Sequence, residues 1–134
     1  MAKILIIDDD DQVVGVIARW LSKAGYEVAC ACDGEQGLRF LEKEPVDLVV
    51  TDIVMPGKEG LETIPMLRKM NKTLPIIAMS GGGSCGPELY LSMAVSLGAD
   101  CALQKPFEKE LLLSTVQTCL SKTKSAGSSD APTA

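Results

Sequence analysis

Five polar residues stand at the ends of four short apolar runs, and together they could carry out one kind of chemistry. They are three aspartates, a serine and a lysine: Asp8, Asp9, Asp52, Ser80 and Lys105. Three carboxylates brought together repel one another, so their joint ionisation near neutral pH needs a cation. Oxygen ligands favour Mg²⁺, which keeps several waters and takes one or two carboxylates. With an ammonium and a hydroxyl added, the set would form a phosphoryl-transfer site in which a carboxylate is the nucleophile.

The apolar runs predict the strands that must position these residues. They are short and rich in isoleucine and valine, as is typical of parallel strands buried on both faces. The predicted strands cover residues 3–7, 26–31, 47–51, 75–79 and 101–104. Helical spacing, caps and stop signals predict helices at about residues 12–24, 34–44, 61–70, 87–97 and 108–120.

This alternation predicts an α/β fold: a five-stranded parallel sheet, doubly wound, with five helices on its two faces. In such sheets, chemistry gathers outside the carboxyl ends of the strands, which is where the five polar residues fall. Pro65, inside the third predicted helix, indicates a kink or a late helix start. In the last helix, five side chains are expected to face the core: Leu111, Leu112, Thr115, Val116 and Leu120.

Length and composition limit the classes of function. The chain has 134 residues, room for one domain, which we place at residues 1–122 with a disordered tail at 123–134. A net charge of −5 and 4% aromatic residues argue against nucleic acid or a membrane as partner. The absence of histidine excludes His-dependent hydrolysis and histidine zinc sites. The apolar runs are too short for a transmembrane helix or a signal peptide, so we expect a cytoplasmic protein.

The five cysteines are irregularly spaced: Cys30, Cys32, Cys85, Cys101 and Cys119. An odd count without regular spacing favours reduced thiols over a disulfide framework. Cys30 and Cys32 point to one face of a predicted strand. We expect them to be small buried side chains and not a metal pair, because a second ligand pair at zinc spacing is missing from the sequence.

Three glycines have the spacing of a dinucleotide-binding loop: Gly81, Gly83 and Gly86. Two features argue against that interpretation. Asp100 precedes a predicted strand, whereas the acid of a dinucleotide site ends one, and the chain is too short for two mononucleotide-binding halves. We therefore interpret the glycines as a mobile loop beside Ser80 that can close over a bound phosphoryl group.

The acidic crevice also has competing interpretations. The run of aspartates at 8–11 could simply favour the start of a helix, although Asp52 and Lys105 at matching strand ends argue for a site. A small Mg²⁺-dependent phosphatase or a nucleotide-binding domain could use the same crevice. Such an enzyme would release free phosphate from a labelled small donor, whereas a carboxylate acceptor would retain the label on the protein.

Four segments resemble the receiver domain of two-component response regulators, the CheY-like family. They are ILIIDDD at 4–10, LVVTDIVMPG at 48–57, IIAMSG at 76–81 and GADCALQKPF at 98–107. They occur in the family's order, and the resemblance covers about residues 3–121. It implies a flavodoxin-like sheet with strand order 2-1-3-4-5.

The resemblance also implies roles for individual residues. Asp52 would accept a phosphoryl group from a sensor histidine kinase or a phosphotransfer protein. Asp9 would bind Mg²⁺ directly and Asp8 mainly through water, with Asp52 and the backbone carbonyl of Val54 as the other protein ligands. Ser80 and Lys105 would hold the phosphoryl oxygens, and the Lys105-Pro106 peptide bond would be cis. These implied ligands and roles agree with the chemistry expected of the residues themselves.

Two positions depart from the family pattern. The family usually has an aromatic switch residue three positions before the lysine, where this chain has Ala102. It often has a polar residue two positions after the phosphorylated aspartate, where this chain has Val54. We expect a stand-alone receiver that acts through protein contact, and the intact set of site residues argues against a degenerate receiver that works without phosphorylation.

Overall fold

The computed structural model describes residues 2–53, 59–80 and 87–128. Five strands alternate with five helices in these segments, in the order that the sequence predicts. The strands are β1 (Lys3–Ile7), β2 (Glu27–Ala31), β3 (Leu48–Asp52), β4 (Ile76–Ser80) and β5 (Cys101–Gln104). The helices are α1 (Asp11–Lys23), α2 (Gly34–Lys43), α3 (Glu59–Met70), α4 (Pro87–Leu97) and α5 (Lys109–Ser128).

The strands form one parallel sheet in the order β2-β1-β3-β4-β5. This confirms the predicted doubly wound, flavodoxin-like fold. All residues of β3 and β4 are buried, and so are four of the five in β1, because helices cover both faces of these strands. Such strands need apolar side chains on both sides, which explains the uninterrupted apolar runs.

Alternate side chains of each strand enter two separate cores. On one face, Ile4 and Ile6 of β1 pack with Ile17 of α1 and with α5. On the other face, Leu5 and Ile7 pack with residues of α3 and α4. Among the described helices, none is both long and apolar enough to cross a membrane.

The last helix differs from the sequence prediction at its end and on its buried face. Helix α5 continues to Ser128, beyond Leu120, and so includes part of the segment for which composition predicts disorder. Within residues 109–121 of this helix, the buried residues are Leu112, Val116 and Cys119, whereas Leu111 is 49% exposed. The expectation that Leu111 faces the core is wrong, because helical geometry at 3.6 residues per turn places 112, 116 and 119 on one stripe.

Two other expectations also need correction. Of the two outcomes predicted from Pro65, the late start is wrong, because α3 begins at Glu59 with Pro65 inside it. The kink stays a prediction. Cys30 and Cys32 are both exposed and not buried. Cys30 lies in β2 and Cys32 directly follows it. This strand is at the edge of the sheet, and only Ala31 in it is buried, because the helices cover that edge only in part.

Candidate functional site

Four strands deliver polar side chains to the same edge of the sheet. Asp52 is the last residue of β3 and Ser80 the last of β4, whereas Asp8 directly follows β1 and Lys105 directly follows β5. The pairing of β3 with β4 sets Asp52 beside Met79, the residue before Ser80. Because all strands are parallel, these carboxyl ends face one crevice, as the sequence predicts.

The three carboxylates form one cluster. One oxygen from each of Asp8, Asp9 and Asp52 lies within 4.8 Å of the others. Asp8 and Asp52 are buried, and Asp9 is exposed. Carboxylate oxygens are ligands that Mg²⁺ prefers, so the cluster suits this ion in its chemistry. Asp9 and Asp52 are the residues that would hold it.

Lys105 supplies the positive charge next to the buried aspartates. Its Nζ lies 2.8 Å from Asp8 Oδ2 and 3.4 Å from Asp52 Oδ2, and the side chain is 18% exposed. Burial lowers the pKa of Lys105, but the hydrogen bond to Asp8 and the charges of Asp52 and Asp8 outweigh burial, so the pKa is raised. The ammonium is therefore a positive charge placed within ion-pair distance of both buried carboxylates.

The raised pKa of Lys105 predicts a stability change at alkaline pH. A cation whose pKa is raised by folding stabilises the fold below its ordinary pKa of about 10.4, and that contribution is lost as pH rises through the folded-state value. In metal-free protein, we expect Lys105→Met to lower the free energy of unfolding by about 2 kcal/mol at neutral pH. The difference from wild type should shrink above about pH 10.4.

Urea unfolding at several pH values, with a chelator present, measures this effect. Lys109→Met is the matched control, because Lys109 is exposed in the first turn of α5. If the loss in free energy of unfolding caused by Lys105→Met stayed constant up to the highest pH measured, it would contradict the assigned ion pairs.

The four consecutive aspartates divide between the site and the helix start. Asp8 Oδ1 accepts a hydrogen bond from the backbone N–H of Asp10 at 2.9 Å, while Oδ2 binds Lys105. Asp10 caps α1 by accepting from the N–H groups of Gln12 and Val13. The interpretation that these aspartates favour the start of a helix is thus right for Asp10 and Asp11, whereas Asp8 and Asp9 belong to the crevice.

Ser80 is buried at the end of β4, and its backbone carbonyl accepts from the N–H of Lys105 at 2.8 Å. This bond extends the pairing of β4 and β5 by one residue and holds the lysine beside the serine. The Lys105-Pro106 peptide bond is cis, as the resemblance implies. The expected metal ligand Val54 and the glycine-rich loop at 81–86 lie outside the described residues.

The comparison with family models decides the identity. The model for the response regulator receiver domain matches residues 4–117, most of the chain. The chain belongs to this family. Receiver domains are the signalling switches of two-component systems and are not metabolic enzymes.

Curated relatives agree with this assignment. The transcriptional regulatory protein CpxR of Escherichia coli K12 is 37% identical over 120 residues, which is 90% of this chain and 50% of CpxR. The alkaline phosphatase synthesis transcriptional regulatory protein PhoP of Bacillus subtilis 168 is 32% identical over 127 residues, 95% of this chain and 52% of PhoP. The receiver chain thus spans about half the length of these curated relatives.

Solved structures share the fold at full domain length. A CheY-like receiver domain protein of Methanospirillum hungatei JF-1 has a TM-score of 0.84 and 28% identity, covering 92% of this chain and 97% of its own. Chemotaxis protein CheY4 of Vibrio cholerae has a TM-score of 0.79 and 34% identity, covering 89% and 98%. This receiver therefore shares its arrangement of strands and helices with these solved structures.

An apolar groove opens beside the site of this receiver, and sequence reasoning missed it. Its volume is about 270 Å³. It is lined by residues of α1 and of the segment after β5: Asp10, Gln12, Val13, Val16, Ile17, Trp20, Lys105, Pro106 and Phe107. The sequence feature that could have indicated the groove is the apolar stripe of α1, which includes more residues than the core buries. Val16 is consequently 41% exposed.

Ala102 occupies the position of the usual switch aromatic on β5. Its neighbours Cys101 and Leu103 face the core shared with α1 and α5, so strand alternation turns Ala102 toward the opposite face of the sheet. A methyl side chain has no rotamer to change. This receiver therefore lacks the aromatic rotation that the family resemblance implies for the switch.

Proposed function

We propose that this receiver is a phosphorylation-controlled switch in which Asp52 accepts a phosphoryl group from a histidine kinase or a phosphotransfer protein. The observation that carries the proposal is the placement of the Lys105 ammonium between Asp8 and Asp52, at 2.8 and 3.4 Å, beside a cluster suited to Mg²⁺. The site thus combines a carboxylate nucleophile with positive charge where negative charge must be stabilised.

The geometry favours Asp52 as the acceptor over the other two aspartates. Asp8 is held by two donors, the N–H of Asp10 at 2.9 Å and Lys105 at 2.8 Å, as suits a residue that positions the ammonium. Asp9 is exposed, as suits a ligand that the metal reaches from solvent. Asp52 ends the central strand β3 and lies further from the ammonium, at 3.4 Å.

The proposed reaction is a transfer between two protein side chains. A carboxylate oxygen of Asp52 attacks phosphorus, the bond from phosphorus to the donor's histidine nitrogen breaks, and an acyl phosphate forms. Lys105 and Ser80 then lie beside Asp52 to bind phosphoryl oxygens. Bound Mg²⁺ would neutralise part of the charge on the carboxylates and the phosphoryl group.

Retention of label on the protein tests the proposal. With Mg²⁺ and a labelled small phosphodonor, we expect covalently bound phosphate that is stable to denaturation and labile at alkaline pH. Free phosphate formed without a protein adduct would instead support the competing phosphatase. The same experiment without Mg²⁺ should give little label, because the crowded carboxylates then repel the incoming phosphoryl group.

Metal binding gives a separate prediction. We expect Asp9→Asn to weaken Mg²⁺ binding at least tenfold, about 1.4 kcal/mol, and to slow phosphorylation in parallel, because one carboxylate ligand is lost. The titration can follow the fluorescence of Trp20, which lines the groove with Lys105, and calorimetry checks it.

Asp11→Asn is the matched control for the metal. It removes the same charge from the first turn of α1, outside the carboxylate cluster. Equal Mg²⁺ affinity in Asp9→Asn and Asp11→Asn would remove Asp9 from the metal site.

The groove is the place where the phosphodonor protein would dock. Lys105, which also binds the crevice aspartates, is among its lining residues, so a partner seated there can bring a phosphohistidine to the crevice. Val13, Val16 and Phe107 offer apolar contact. We expect Val16→Asp to slow phosphotransfer at least tenfold, about 1.4 kcal/mol, because the partner would bury an unpaired charge. The donor is the kinase that phosphorylates the wild-type receiver fastest among a panel of purified histidine kinases.

A small phosphodonor distinguishes docking from chemistry. Its reaction with Val16→Asp should match that of wild type, since it needs no groove. Val95→Asp is the matched control, because Val95 is 50% exposed on α4, across the sheet from the groove. Equal kinase rates for the two variants would place the docking surface elsewhere.

Several sequence expectations remain parts of this proposal. They are the stand-alone arrangement, output through protein contact, self-promoted phosphorylation and dephosphorylation, and a cytoplasmic location. The expected lack of nucleic-acid contact also stays a prediction, because two relatives are named as transcriptional regulatory proteins and the chain spans about half their length.

A further inference from the structure

Two cysteines lie in contact where β5 meets α5. Cys101 is the first residue of β5, and its Sγ lies 3.1 Å from Sγ of Cys119, which is on α5. Cys119 is 2% exposed and Cys101 is half-buried at the margin of the same core. A disulfide bond is about 2.05 Å long, so the two sulfurs need to approach by only about 1 Å.

We propose that Cys101 and Cys119 form a reversible intramolecular disulfide, which makes this pair a redox-modification site of the receiver. The site is independent of the phosphoacceptor. Disulfides in reducing compartments are usually transient and redox-sensing, so an odd number of mainly reduced cysteines is compatible with one oxidisable pair. Cys30 and Cys32 are exposed at the other edge of the sheet, on and directly after β2.

The oxidant is a low-molecular-weight disulfide such as oxidised glutathione. The half-buried Cys101 reacts first as a thiolate, attacks one glutathione sulfur and expels the other as a thiolate. The Cys119 thiolate then attacks the Cys101 sulfur of the mixed disulfide and expels the second glutathione. In total the two cysteines lose two electrons and two protons. Oxidised glutathione takes up these electrons and protons and becomes two molecules of reduced glutathione.

Burial makes the second step selective. Cys119 is nearly inaccessible from solvent but lies within contact distance of Cys101, so the protein thiol is the group placed to resolve the mixed disulfide. The new bond would tie the start of β5 to α5 across the connecting segment that contains Lys105 and Phe107. Amide exchange in that segment should therefore slow on oxidation.

The test uses the full chain with Cys30→Ser, Cys32→Ser and Cys85→Ser, which leaves only the proposed pair. The protein is equilibrated with oxidised and reduced glutathione at a series of ratios. We expect a monomer whose mass is lower by two hydrogen atoms, whose thiols resist maleimide after unfolding, and which dithiothreitol restores. Because the bond closes a loop of 18 residues, the melting temperature should rise by roughly 10 °C.

Cys101→Ala in the same background is the control, and its buried Cys119 should react only slowly. A stable glutathione adduct, disulfide-linked dimers as the main product, or two thiols that remain alkylatable at every ratio would each overturn the proposal. If the triple variant does not fold, peptide mapping of the oxidised wild-type chain decides the same question. The linked peptides must then contain Cys101 and Cys119 and no other pair.

Discussion

Replacement of Asp52 by asparagine is expected to reduce phosphorylation from a small phosphodonor at least a hundredfold, about 2.7 kcal/mol in the barrier. The amide oxygen of asparagine is a poor nucleophile, whereas the carboxylate of Asp52 is held at the end of β3 beside the Lys105 ammonium at 3.4 Å. Labelled phosphate bound to denatured protein measures the effect. Reduction of the adduct with borohydride converts an aspartyl phosphate to homoserine, which should appear at position 52.

The matched control for this variant is Asp8→Asn. Both aspartates are buried and both bind Lys105, so each substitution removes one negative charge from the same cluster. Asp8→Asn should slow labelling but not abolish it, since Asp8 positions the Lys105 ammonium and is not the proposed acceptor. Retained labelling in Asp52→Asn, or homoserine found at position 8 or 9, would move the acceptor. We expect unfolding curves to show that both variants fold, because each loses like-charge repulsion along with its ion pair.

The strands and the site residues could be predicted because one physical constraint sets both. Strands buried on both faces must be apolar throughout, so the first polar residue marks the strand end, and parallel strands bring their ends to one edge. The predicted bounds of β1 and β5 agree with the structure, and the other strands shift by one residue at most at each end. Asp8, Asp9 and Asp52 therefore meet where the sequence places them.

Features that depend on side-chain packing could not be predicted in this way. In α5, residue type favoured Leu111 for the core, but the helix buries Cys119 and leaves Leu111 at 49% exposure. The contact of Cys119 with Cys101 depends on where α5 lies over β5. The spacing of residues in the sequence does not determine that position. Likewise, the sequence predicts Lys105 as a positive charge in the crevice, but its 2.8 Å ion pair with Asp8 depends on packing.

The second large effect concerns stability, at a cluster far from the acidic crevice. Arg68 of α3 donates from Nη1 to the backbone carbonyls of Lys72 at 2.9 Å and Leu74 at 2.6 Å. Its Nη2 donates to the carbonyl of Gly98 at 2.6 Å and to Asp100 at 3.1 Å. One side chain thus satisfies carbonyls after α3 and at the end of α4. These groups would otherwise need water.

We expect Arg68→Ala to lower the free energy of unfolding by about 2–4 kcal/mol, because several partly buried acceptors lose their charged donor together. Arg68→Lys should recover only part of the loss, since an ammonium keeps the charge but not the planar array of donors that reaches both loops. Urea unfolding midpoints with a common slope measure these differences.

Arg39→Ala separates this effect from the loss of any arginine. Among the described residues, the ion pair of Arg39 is an exposed one with Glu35, one turn earlier in α2, with the two side chains 68% and 70% exposed. Such pairs contribute about 0.3–0.5 kcal/mol, so Arg39→Ala should unfold close to wild type. If Arg68→Ala fell in that same small range, the carbonyls around Arg68 would be satisfied by water at little cost.

Because Arg68 is far from Asp52 in the fold, phosphorylation by a small phosphodonor should remain close to wild type in Arg68→Ala at temperatures where the variant stays folded.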